Sequence, residues 1–201
     1  MDLGLPSGTK WATQNVGARK PSDFGLYFQW GDTQGYTAEQ VGEGEGQKEF
    51  DYHWKDYKWY ERGSDFDGTI EFKKYNSTDA TLDLEDDAAH ANMGGSWHMP
   101  SPTQIQELLD NTTTTWTTQD GVNGRLFTSK KDGTKSIFIP AAGYADDGLI
   151  QRSGDFGCVW SSMVSYRKYS SKSLFIRDGD SKININSNRN TGYSIRGVIN
   201  A

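Results

Sequence analysis

The residues of this chain that could do chemistry are one cysteine, three histidines and several groups of carboxylates. Cys158 lies in FGCVWSS, on an expected buried strand, and no neighbour supplies the His or positive charge that activates a thiol. It reads as a structural cysteine. His53, His90 and His98 share no spacing of the H-E-x-x-H kind, and His90 and His98 stand too far apart for one helix face. The acidic stretches SDFDG, YADDG and RDGDS do not extend into a calcium loop and read as turns. Glu85, Asp86 and Asp87 raise glycosidase-type acid–base chemistry. No motif marks a second carboxylate to pair with them, and the first turn of a helix is a sufficient reason for their presence. Ser161 and Ser162 lack the G-x-S-x-G context. GEGEGQ, at 42–47, is acidic and lacks the P-loop lysine, so it reads as a flexible loop. The expectation is a chain that is not an enzyme and holds no cofactor or metal.

Recognition is the chemistry that remains. FDYHWKDYKWYERG gathers Tyr52, Trp54, Tyr57, Trp59 and Tyr60 among charges. Alternation would place Tyr52 and Trp54 on one strand face as a sugar platform; the favoured reading is that these rings pin a long loop to the core. Nearer the C-terminus, KININSNRN sets Asn184, Asn186, Asn188 and Asn190 at every second position. Period two is the strand period, although Asn is a poor strand former. Trp160, Leu174, Phe175, Ile176, Ile183, Ile185, Ile195 and Val198 are spaced as core-facing positions, with polar runs between them at 164–168, 177–182 and 184–190. Alternation of this kind buries one face and displays the other. The expected displayed set is Tyr166, Arg167, Tyr169, Arg177, Asp178, Asp180 and the four asparagines. Tyr, Arg, Ser and Asn combine rigid contact area with adaptable hydrogen bonding, as binding loops do. The plainer alternative is a polar, turn-rich sheet edge.

Composition bounds these readings. A chain of 201 residues with 34% hydrophobic content is poor in aliphatic core, but seven Trp, ten Tyr and nine Phe bury large areas each. The expectation is one α+β domain over residues 1–201, with 31–81 a structured insertion rich in Gly, Asp, Tyr and Trp. A net charge of −6 argues against nucleic acid, which wants a basic face. No stretch approaches the roughly 20 apolar residues of a membrane span. The N-terminus has neither a basic nor an apolar leader region, so a signal or anchor is expected outside these residues.

The elements that must position the candidates are mostly strands. PSPTQIQELLDN is a helix signal, with Ser101 as N-cap, Pro102 at the first position and Gln104 closing a capping box. A second short helix is expected over DLEDDAAHANMGG, stopping at Gly94. RLFTSKKDGTKSIFIP is a hairpin turning at Asp132-Gly133. GCVWSSMVSY, KSLFIRDGDSKININ and GYSIRGVI supply further strands, with Asp178-Gly179 as a turn.

Several stretches also resemble a known family. They are DLGLPSGTKWATQNVGA (2–18), DFGLYFQWGDT (23–33), LDLEDDAAHANMGGSWHMPSPTQIQELLDN (82–111), TTQDGVNGRLF (117–127), SIFIPAAGY (136–144) and GCVWSSM…LFI…GYSIRGV (157–198). In this order they look like the Fibrobacter succinogenes major paralogous domain, over nearly the whole chain but weakly at 34–81. The resemblance implies a C-type-lectin-like fold of the formylglycine-generating-enzyme branch, with a small twisted antiparallel sheet, two helices and long loops. It implies an extracellular, cell-surface or phage-tail location in gut Bacteroidetes or their phages. It further implies a partner that is a protein or glycan on a cell surface. Related domains are the variable proteins of diversity-generating retroelements, whose C-terminal stretch is mutated at adenines and presents the ligand-binding surface.

Two departures limit the carry-over. The enzyme branch uses a pair of cysteines where this chain has Cys158 alone, and the calcium-dependent sugar motifs of animal C-type lectins are absent. The family's R-P-V ending is Arg196-Gly197-Val198. Adenine mutagenesis of an Asn codon yields Tyr, Asp, Ser, Arg or Gly but never Lys, so the four asparagines fit unmutated variable positions, whereas Lys168, Lys172 and Lys182 do not arise this way.

Overall fold

A computed structural model describes residues 1–41 and 50–200; the GEGEGQ loop expected at 42–47 lies outside the described residues. Five two- or three-residue strands come first: β1 (Lys10–Trp11), β2 (Tyr27–Phe28), β3 (Gly35–Tyr36), β4 (Tyr60–Arg62) and β5 (Glu71–Phe72). Helices α1 (Ala88–Met93) and α2 (Pro102–Asn111) follow. Then come β6 (Thr112–Gln119), β7 (Val122–Ser129), β8 (Ser136–Pro140), β9 (Tyr144–Asp146), β10 (Leu149–Gln151), β11 (Phe156–Val164), β12 (Ser170–Arg177), β13 (Asp180–Asn188) and β14 (Val198–Ile199). Among the described residues the named strands pair antiparallel, in small sheets β6-β7-β8, β11-β12-β13 and several two-stranded ribbons. This is the expected α+β class.

Helix α2 forms for the expected reason, whereas the second helix starts later than expected: Glu85 and Asp86 lie in a separate 3-10 helix, and the first turn of α1 holds no acidic residue. The Ser101 hydroxyl accepts from the Gln104 amide while the Gln104 side chain accepts from the Ser101 N–H, and Pro102 opens α2. Ile105 and Leu108 then point inward and are fully buried, each burial contributing about 1.5–3 kcal/mol. Asp87 caps α1 by accepting from the His90 amide, after a short 3-10 helix at Leu84–Asp86. Gly94 ends α1 at φ 71, a conformation that L side chains resist.

The β11-β12-β13 sheet is the partition of the molecule. Alternation sends Val159, Leu174 and Ile176 into one apolar cluster with α2, Trp11 and Phe127. It sends Cys158 and Trp160 into a second cluster with Phe28, Trp30, Tyr193 and Ile195. β1 and β14 pair Trp11 with Val198, so the two ends of the chain close against each other. GYSIRGVI was expected as a strand. It runs mostly as extended chain with isolated bridges at Tyr193 and Ser194, and is regular only at β14.

The 50–60 aromatics are loop anchors. Tyr52 sits at φ 63 and Trp54 begins a 3-10 turn, so no shared strand face exists. The Tyr52, Tyr57 and Trp59 side chains donate to the carbonyls of Tyr27, Trp30 and Gly31 respectively. No helix among the described residues is long and apolar enough to cross a membrane.

Candidate binding face

The ten candidate residues do not form one patch. The turn joining β11 to β12 carries Tyr166, Arg167 and Tyr169, and the register sets Ser170 opposite Asn188, so the C-terminal end of β13 lies at this same end of the sheet. Arg177 pairs with Asp180 at the other end. Seven strand steps at about 3.3 Å each put roughly 23 Å between the two groups. A single small ligand cannot touch both.

The near end is a pre-arranged cluster. Arg167 stacks its guanidinium 5.1 Å from the Tyr166 ring centre and 5.9 Å from that of Tyr169. Its Nη1 also donates to the Tyr169 hydroxyl at 3.1 Å. The Tyr166 hydroxyl donates to Asn186 Oδ1 at 2.8 Å, which ties the turn to β13. Tyr166 is 51% exposed, Arg167 and Asn186 are exposed, and Tyr169 is half-buried against Tyr57, Ile70 and Phe72. The result is an aromatic, a cation and an amide facing solvent with few rotamers left to freeze on binding.

The asparagine ladder is interrupted. Two steps along β12, from Ser173 to Ser171, oppose three along β13, from Asn184 to Ser187. The extra residue is a β-bulge, which breaks the period of two. Ile183 packs on the core beside Leu174, as expected, but Ile185 is turned out to 44% exposure instead of inward. Asn184 holds the bulge: its Oδ1 accepts from the Asn186 amide and its Nδ2 donates to Ser187 Oγ. Asn190 does not belong to the displayed set. It is only 7% exposed, and its Nδ2 donates to the Tyr52 carbonyl at 2.7 Å. Asn188 is half-buried.

The far end is internally paired. Asp180 meets Lys182 at 2.9 Å and Arg177 at 3.7 Å, and the Arg177 carbonyl accepts from Arg125. Arg177 and Asp178 are exposed.

The other chemistry-bearing residues have structural surroundings. Cys158 is buried, and burial pushes its thiol up to about 12. Asp83, Glu85 and Asp86 are close enough to share a cation, but the Lys74 ammonium fills that role at 2.6, 3.2 and 2.6 Å. Asp86 also accepts from Lys58 and the Tyr75 hydroxyl. Burial alone would raise its pKa; the donors outweigh that and hold it below the usual carboxylate value. Arg196, fully buried, donates to Asn15 Oδ1 and to the carbonyls of Ala12 and Phe138. That accounts for the arginine in GYSIRGV as a scaffold residue.

Two features of the β4–β5 hairpin escaped sequence reasoning. A concavity of about 260 Å³ is lined by Glu61, Glu71, Phe72, Asn76 and Lys168, between the β4–β5 hairpin and the 165–169 turn. Phe66, at the hairpin tip, is 97% exposed. SDFDG showed its aspartates, and the phenylalanine between them was the signal passed over. A larger apolar cavity of about 510 Å³, lined by Val16, Leu26, Met93 and Trp97 among others, includes none of the candidate residues.

Comparison of the chain with protein-family models, with curated proteins and with solved structures finds no match.

Proposed function

We propose that this chain is a non-enzymatic ligand-binding domain of receptor or adhesin type, on a C-type-lectin-like scaffold, from a gut bacterial or phage surface protein. Its recognition face is the near end of the β11-β12-β13 sheet, centred on Tyr166, Arg167 and Asn186, with Tyr169, Asn184 and Asn188 around them. The observation that carries this reading is the Arg167 guanidinium stacked on Tyr166 and Tyr169 at the surface, with Tyr166 tied to Asn186. Tyr and Arg are the residues that most often concentrate binding energy at interfaces. The rigid sheet beneath holds them without using their outward faces.

The resemblance to retroelement variable proteins supports a narrower form, in which exposed asparagines mark exchangeable positions. Asn186 suits that role; Asn190, buried and bonded to Tyr52, does not. The gene tests this form: it predicts a near-identical template repeat differing at adenines beside a reverse transcriptase gene, and absence of both contradicts it. Binding itself is tested on arrays of cell-surface glycans and displayed peptides. A Tyr166→Ala/Arg167→Ala variant should lose the ligands that the parent retains; equal binding by both would overturn the site.

A further inference from the structure

We infer that the recognition face extends onto the β4–β5 hairpin, where Phe66 is an anchor for a protein ligand carrying an apolar socket rimmed by Lys or Arg. The inference rests on the reading of the near end as a binding face. Phe66 exposes nearly all of its ring on a loop that is not slack. The Ser64 carbonyl accepts from the Ile70 amide, the Ser64 amide donates to Thr69 Oγ1, and the Thr69 hydroxyl donates to Asp67 Oδ1. The Phe66 amide itself donates to Ser64 Oγ. These bonds tie the loop from Ser64 to Ile70 and leave the Phe66 ring in solvent.

The hairpin is continuous with the near end. Phe72 of β5 lies 4.3 Å beneath the Arg189 guanidinium, and the Arg189 amide donates to the Tyr169 carbonyl. Lys168 and Glu61 face the same concavity, so the surface passes from Arg167 to the hairpin without a break.

Charge selects the occupant. Asp65 and Asp67 flank Phe66 in the hairpin loop, and Glu61 faces the neighbouring concavity. Glu71 is paired with Arg62 at 2.7 Å, which leaves the hairpin acidic on a chain of net charge −6. An anionic lipid surface or a second copy of this chain would be repelled. A neutral glycan offers no charge complement to the two aspartates that flank the ring. A basic-rimmed apolar socket on a protein satisfies both ring and rim.

A phage-displayed library of random linear peptides, panned on the whole chain, supplies the probe. Enriched peptides should pair an aromatic or aliphatic residue with flanking Lys or Arg. Measured by biolayer interferometry, Phe66→Ser should weaken them about 30-fold, the effect of losing an interface anchor. Phe66→Trp should retain them, and both variants should unfold at the parent's temperature. Tyr166→Ala/Arg167→Ala should weaken the same peptides. If Phe66→Ser binds as the parent while Tyr166→Ala/Arg167→Ala does not, the hairpin inference falls and the near-end site stands. If Phe66→Ser loses binding while the other variant keeps it, the shared face is refuted. Failure to enrich any peptide also overturns the inference.

Discussion

The Asn190 side-chain amide donates to the carbonyl of Tyr52 at 2.7 Å, across 138 positions of sequence. That bond fastens the insertion to the C-terminal segment, and it removes one asparagine from any display role. Asn190→Ala should therefore destabilise the fold by about 1–3 kcal/mol, the cost of leaving a buried carbonyl without its donor. Asn186→Ala, at an exposed position, should stay within about 0.5 kcal/mol. Urea unfolding of the two variants measures the contrast, and equal losses would contradict it.

Tyr52 should be the most sensitive residue of the insertion. It is fully buried, its hydroxyl donates to the Tyr27 carbonyl, and a Cβ on Gly192 would come within 2.4 Å of its ring. Gly192→Ala has nowhere to place its methyl without moving a packed aromatic. Tyr52→Ala should cost about 3–5 kcal/mol and Tyr52→Phe about 1–2 kcal/mol, read by thermal or urea unfolding.

Acid sensitivity should run through Asp86. Lys74, Tyr75 and Lys58 hold its folded pKa below the unfolded value, so the unfolded state takes up the proton first as pH falls. Its stabilisation is complete above about pH 4 and is lost as pH drops through the depressed folded value. Asp86→Asn should cost about 3 kcal/mol near neutrality and flatten the acid limb of the stability profile. An unchanged acid limb in that variant would contradict the assignment.

Arg196→Lys should not substitute. One ammonium cannot reach Asn15 Oδ1, the Ala12 carbonyl and the Phe138 carbonyl with the planar geometry the guanidinium supplies. A loss of about 2–4 kcal/mol is expected from the acceptors left unpaired, measured by chemical denaturation.

Local signals carried far in this chain. The capping box at Ser101 and Gln104 and the turn at Asp132-Gly133 depend on near neighbours and formed as read. The strand β6 was not anticipated, although its Thr run is β-branched, because it follows α2 without any breaker between them. The asparagine ladder misled for a physical reason. Alternation assumes an unbroken register, and the bulge at Asn184–Ser187 arises from pairing with β12, which no local pattern encodes. The separation of Arg177, Asp178 and Asp180 from Tyr166 and Arg167 likewise follows from strand direction. Phe66 went unread because exposure is a property of the folded hairpin.

Binding at the near end of the β11-β12-β13 sheet can be measured directly. The most direct measurement compares dissociation constants of array- or library-selected ligands for the parent and for Tyr166→Ala/Arg167→Ala, after confirming equal unfolding temperatures. Weakening of about 30-fold or more is expected, because the substitutions remove the stacked ring and guanidinium together. Dissociation constants unchanged within error, with the fold intact, would contradict it.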